Sequence, residues 1–288
     1  MGRKPIALGG VLALMGIAGV MVAVNSVHGS LPKLPSLPSL GAECVVRADG
    51  EVALDSVQMA NAATITAVGI RRKMPERAVV IALATALQES KLENREDGDR
   101  DSVGLFQQRP SQGWGTAEKI QDPRYAADRF YSALKKVKGW KTMRVTDAAQ
   151  KVQRSAFPNA YEKWADESAV LARALTGHAT GAVACTVSGD PVLRGAAAAA
   201  ALTKGLKLDW GSGLPKVESN PDDGISVDVT DPKSGWRYAH WLVSHASATG
   251  LERVRFANLE WHAAAGKWQP VTAAGPTDEN KVIAGVFS

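Results

Sequence analysis

The sequence predicts a mostly α domain followed by a small α+β domain, with a membrane anchor ahead of both. Three observations predict it. Residues 6–24 form an apolar and Gly run of 19 residues without a charge, and about 18 or more such residues suffice to span a bilayer. Between 55 and 176 apolar residues recur at helical spacing, with Asp or Pro at the expected starts. Beyond about 190 the period changes, as Ile225, Val227 and Val229 alternate with Ser226 and Asp228 in a strand pattern.

The elements follow in order. Arg3 and Lys4 precede the apolar run. A secretory core is typically shorter, about 7–15 residues. Segment 1–25 is therefore expected to be an uncleaved single-pass anchor with its basic end in the cytoplasm and the body of the chain outside. A cleaved signal peptide, giving a secreted protein, is the alternative, because small residues lie near Val22–Ser26. Only one such run is present, which excludes a multi-span transporter. Residues 26–43 form a Pro-rich linker whose SLPKLPSLPSL stretch favours extended, polyproline-like chain.

Residues 44–185 are expected to form the first domain. Asp55 caps a helix to about Lys73, and Pro75 suits the first turn of a second helix to about Lys91. The interior of that second helix, residues 78–84, is apolar on all sides and so is expected to be central. Residues 94–115 read as loop or short hairpin. Further helices are expected from Asp122-Pro123 to about Val137, from a Thr146 cap to Ser155, and from Asn159 to about Thr176, where Gly177 stops the last. Residues 186–288 form the second domain. It starts with a helix, or a low-complexity linker, over Ala196–Ala201. A strand through 225–229, a helix over 234–249, a strand at Val254 and Phe256 and a closing strand over 282–287 complete it.

Cys44 and Cys185 are the only cysteines. An even count in an exported chain suggests one disulfide, whereas a cytosolic chain would hold two buried thiols. The net charge of +5 favours anionic surroundings such as a membrane surface or an acidic cell wall. No basic run is interleaved with aromatics, so nucleic acid is not an expected partner.

The chemistry-bearing stretch is 82–115. A buried helix ends in Gln88-Glu89-Ser90, an acidic loop follows, and then comes the apolar knot Gly104-Leu105-Phe106-Gln107. At a helix C-terminus the dipole disfavours negative charge, and apolar neighbours add to that effect. Glu89 is therefore a candidate general acid, with Leu105 and Phe106 as its apolar wall. The acidic residues Glu93, Glu96, Asp97, Asp99 and Asp101 read as a solvated loop. Trp114 is read as a loop anchor or a sugar-stacking ring, and Trp140 and Trp164 as core.

Glu89-Ser90 with Gly104-Leu105-Phe106-Gln107 fifteen residues on resembles the lysozyme-like fold of soluble lytic transglycosylases and goose-type lysozymes. The stretch Val152-Gln153-Arg154-Ser155-Ala156-Phe157-Pro158-Asn159-Ala160-Tyr161 sits where that family has a Tyr/Asn sugar-binding motif, although it departs from the Tyr-Asn-Ala-Gly form. The resemblance spans residues 62–176. It implies a lysozyme-like helical domain that cleaves the glycan strand of peptidoglycan. Glu89 would be catalytic, with Ser90, Phe106, Gln107 and Tyr161 at the substrate, and no cofactor is required. The alternative is a non-catalytic wall-binding or scaffold protein on the same fold.

Residues 220–228, the Trp-rich helix and the Leu259–Pro270 stretch resemble zinc D-Ala-D-Ala carboxypeptidase-like domains. Asp228 matches their Asp. Their first His is absent, and the position of their final His-x-His reads Lys281-Val282-Ile283. Zinc needs about three protein ligands, so no metal is expected, and the second domain is read as non-catalytic.

Overall fold

The computed structural model describes residues 43–187, 190–220, 224–271 and 279–288. The expected anchor, and all but the last residue of the linker, lie outside the described residues. Among the described residues no helix is long and apolar enough to cross a membrane. Roughly half of these residues are helical, and the strands form two antiparallel sheets.

Short strands β1 (Cys44–Arg47) and β2 (Glu51–Leu54) pair as a hairpin, and β3 (Val183–Cys185) adds to the free edge of β1. Strands of three or four residues carry too little alternation to be read from sequence, and this sheet was not expected. Its register sets Cys44 directly opposite Cys185, and the two form a disulfide. Closing a loop with a sequence separation of 141 stabilises by about 5 kcal/mol at most in the chain-entropy model.

Helix α1 (Ser56–Arg71) starts as expected at Asp55. The Asp55 carboxylate accepts from the Gln58 N–H at 2.8 Å, and the Gln58 side chain accepts from the Asp55 N–H at 3.0 Å. Such a cap is worth about 1 kcal/mol. Helix α2 (Glu76–Ser90) is buried from Ala78 to Leu87. It packs against α1, α4 (Pro123–Lys136), α5 (Val145–Gln153) and α6 (Ala165–Leu175), with the short α3 (Ala117–Ile120) ahead of α4. Two expected starts differ. Arg144, not Thr146, stands at the N-cap position of α5, and its side chain makes no cap bond. Thr146 is buried in the first turn, where its hydroxyl donates to the Pro158 carbonyl at 2.6 Å and its N–H to Glu162 at 2.9 Å. These bonds hold residues 155–161 as loop, so α6 begins at Ala165 after a 3-10 turn at Glu162–Trp164.

The rest of the chain adds α7 (Gly195–Trp210), β4 (Val217–Asn220), β5 (Gly224–Asp228), α8 (Pro232–Ser244), α9 (Ala246–Thr249), β6 (Leu251–Phe256), β7 (Leu259–His262), β8 (Lys267–Pro270) and β9 (Lys281–Val286). The Ala-rich run is helical. The expected 234–249 helix is two helices, broken at His245. The six strands run in the order β4-β5-β9-β6-β7-β8.

Residues 44–185 and 186–288 share one continuous core, and the described residues belong to one compact unit. Helix α8 lies between the larger sheet and α1, α6 and β3. Gly177, at the end of α6, has φ +84, and a Cβ there would sit 2.0 Å from the Lys233 carbonyl oxygen. Only glycine permits that approach. On α7 the fully buried Asp209 accepts from Thr64 of α1 at 2.9 Å, Arg124 of α4 at 2.6 Å and Trp241 of α8 at 2.8 Å. Three donors from three helices satisfy this carboxylate, which joins the two parts of the chain.

Candidate functional site

Helix α2 stops at Lys91, which takes a left-handed conformation with φ 59, and Leu92 follows with φ 62. This sharp exit leaves Glu89 half-buried at the last turn of the most enclosed helix in the first part of the chain. Next to it, the buried Ser90 hydroxyl reaches the Leu105 carbonyl at 2.8 Å and the Ala86 carbonyl at 3.1 Å. The Gly104-Leu105-Phe106-Gln107 element is thereby tied to the end of α2.

That element is a tight turn. Val103 and Gln108 exchange both backbone hydrogen bonds at 3.0 Å, Gly104 has φ +78, and Gln107 has φ 46. Phe106 is fully buried and stacks on Phe130 of α4 with ring centroids 4.8 Å apart. Ser90 and Phe106 were expected at a substrate surface. Their contacts are internal, so they hold the turn against α2 and α4.

Two donors converge on Oε1 of Glu89, the Tyr161 hydroxyl at 2.7 Å and the Gln153 amide at 3.1 Å. The same Gln153 nitrogen donates to the Phe106 carbonyl at 2.8 Å, so one side chain links α5, the turn and the acid. Burial first, and then the Glu89 carboxylate, push the Tyr161 hydroxyl well above the ordinary phenol range. Tyr161 therefore remains a donor at any working pH. Among the described residues no donor reaches Oε2 of Glu89. When Glu89 carries a proton, that proton belongs on Oε2, since Oε1 already receives two N–H or O–H groups.

Gln107 does not join this cluster. Its amide turns to the carbonyls of Gly104 at 3.2 Å and Asp97 at 3.3 Å, and it packs against Gly98. The amide that meets the acid is that of Gln153. Gln153 falls in the stretch compared with a sugar-binding motif, but nothing in its spacing brings α5 to the end of α2, so no role was expected of it. In the acidic loop, Asp101 accepts from the Ser111 N–H and from Arg109, which hold its carboxyl well below the usual range. Asp97 and Asp99 are exposed near Arg95 and Arg100.

No protein-family profile and no curated protein matches this chain.

Behind Glu89 the Trp164 indole donates to Gln88 at 2.9 Å, and Lys91 lies 4.1 Å from the centre of its ring. Trp140 is buried, whereas Trp114 is half-buried and offers its carbonyl to the Tyr125 hydroxyl at 3.1 Å. A groove of about 760 Å³ opens alongside, walled by α4, α5, Trp114 and Gln153.

In the second part of the chain Asp228 lies on β5, 3.8 Å from Lys281 of β9. Among the described residues no group of three or more His, Cys, Asp and Glu is placed to hold a metal ion. His240 is fully buried, with Nδ1 2.8 Å from the Ala174 carbonyl and Nε2 accepting the Ala182 N–H at 2.9 Å. Those partners fix a neutral ring protonated at Nδ1.

Proposed function

We propose that this protein cleaves the glycan strand of peptidoglycan outside the cell, on a lysozyme-like helical scaffold, with Glu89 as general acid and then base. The observation that carries this reading is the asymmetric environment of Glu89. One carboxyl oxygen is clamped by Tyr161 and Gln153, and the other is left for the substrate.

The steps follow from that arrangement. The Oε2 proton passes to the glycosidic oxygen as its bond to the anomeric carbon breaks, through an oxocarbenium-like transition state. The two donors on Oε1 stabilise the carboxylate this leaves. Glu89 then takes a proton from the nucleophile, whose oxygen bonds to the anomeric carbon. If the nucleophile is water, the product is hydrolysed. If it is the 6-hydroxyl of the same sugar, the product carries a 1,6-anhydro end. The clamp holds a single carboxyl group, which suits a reaction that needs only one.

Glu89→Gln removes the transferable proton and keeps the shape. Release of soluble muropeptides from purified peptidoglycan is expected to fall at least about a hundredfold. Unchanged release would refute the reading, and the masses of wild-type products distinguish anhydro from hydrolysed ends.

A further inference from the structure

The groove beside Glu89 has a charge distribution that the acid chemistry does not require. Its wall carries Arg129 and Lys136 of α4, Lys138 just beyond, Lys151 of α5 and Arg154 at the end of α5. All five are exposed. No Asp or Glu lines it, although the whole chain is nearly balanced, with 34 Lys and Arg against 29 Asp and Glu. Five like charges around one concavity repel each other, and within the protein Arg129 donates to the Gly113 carbonyl at 3.3 Å while Lys151 lies near Asp147. An anion in the groove would relieve that repulsion.

The groove is also physically joined to the acid. Gln153 lines it and donates to Glu89 Oε1 from the same amide. A strand whose scissile bond lies at Glu89 and which runs on past Gln153 would enter this cationic trough. Arg154 is held at the rim by a left-handed backbone, φ 54, that ends α5. Trp114 supplies the one aromatic surface of the wall.

We infer that this groove binds the carboxylates of the peptide side chains carried by the same glycan strand. The enzyme would thus prefer peptide-substituted glycan over bare glycan. This rests on the proposed glycan-cleaving function for the identity of the strand. The peptides' carboxylates are the anions that such a strand brings to positions flanking the cleaved bond. Exposed cations attract them over roughly a Debye length, about 10 Å at 0.1 M salt and 3 Å at 1 M.

The test measures binding separately from turnover. Full-length Glu89→Gln protein is compared with the same protein carrying Lys136→Gln, Lys138→Gln and Lys151→Gln. Both are co-sedimented with peptidoglycan that is intact, with peptidoglycan whose peptides have been removed by an amidase and whose newly exposed lactyl carboxylates have been capped by amidation, and with walls that retain phosphate polymers. The triple substitution is expected to weaken binding to intact peptidoglycan at least about tenfold at low salt, with little change on stripped glycan. It should leave the thermal midpoint in place, because all three side chains are exposed. Equal binding of the two proteins to intact peptidoglycan would overturn the inference. So would binding that follows the phosphate polymer rather than the peptides. Failure of Glu89→Gln to abolish turnover strikes only the catalytic reading, since the sedimentation result does not depend on it.

Discussion

Acid should loosen the junction between the two parts of the chain at a pH set by one histidine. His240 on α8 bonds Ala174, at the end of α6, and Ala182, just before β3. It sits among the Trp236 and Trp268 rings, 5.5 and 6.4 Å away. Burial pushes its pKa from 6.5 down to about 4, and the Ala174 carbonyl offsets this only in part. A second proton would also face the Ala182 N–H, donor against donor. Above pH 6.5 neither the folded nor the unfolded chain protonates this ring, and its full contribution is present. As the pH falls from 6.5 towards 4, only the unfolded chain takes up the proton, so stability is lost through that window and the loss is complete below it. The gap is about 2.5 units, and at about 1.4 kcal/mol per unit the loss is roughly 3–4 kcal/mol. Urea unfolding at intervals from pH 7.5 to 4.5 should show it. His240→Gln cannot bind the proton, so its stability should fall less steeply, by about 1 kcal/mol per pH unit near pH 5.5. His245 is also pushed down, first by its own burial, and Asp209 opposes this. The wild type therefore keeps a residual slope that the variant shares. Parallel stability profiles for the two proteins would refute the reasoning.

Two further substitutions test the site and the frame. Tyr161→Phe deletes one donor to Glu89 and leaves the ring in place. Turnover on peptidoglycan should fall about 10- to 100-fold with little change in KM, as expected for a lost bond to a charged group. An unchanged kcat would remove Tyr161 from the mechanism. Asp209→Ala strips the shared acceptor from Thr64, Arg124 and Trp241. It should cost about 3–5 kcal/mol, read as a lowered thermal midpoint, because a guanidinium is left without its buried partner. A midpoint within a degree of wild type would show that Asp209 does not join the two parts.

Much of the helical frame was legible in the sequence. Asp55 and Asp122 announce α1 and α4 because their carboxylates can meet the free N–H groups of a first turn. The all-round apolar run of α2 announces a central helix because no face of it tolerates water. The end of α2 pointed to Glu89 by position alone. The resemblance placed Tyr161 at the site, but the bonds that Tyr161 and Gln153 make to Glu89 were not legible, for a geometric reason. Gln153 and Tyr161 lie 64 and 72 positions further along the chain, and no local period encodes a contact at that range. Gln107 was the nearer amide in sequence, but the turn with φ 46 at that residue aims it elsewhere.

By itself, then, the sequence determined where the central helices α1, α2 and α4 lie, where the acid stands on one of them, and that Cys44 and Cys185 could be paired, since each follows from local chemistry. Only the tertiary structure decided that 44–185 and 186–288 share a core. Buried polar groups such as Asp209 and His240 find their partners across the expected boundary, and burial without those partners would be costly. Packing of α5 against α2 likewise decided that Glu89 is clamped on one oxygen. It also gathered five cations from α4, α5 and the residues just beyond each helix into one groove. Charges that are unremarkable along the chain become a trough only when those helices are set side by side.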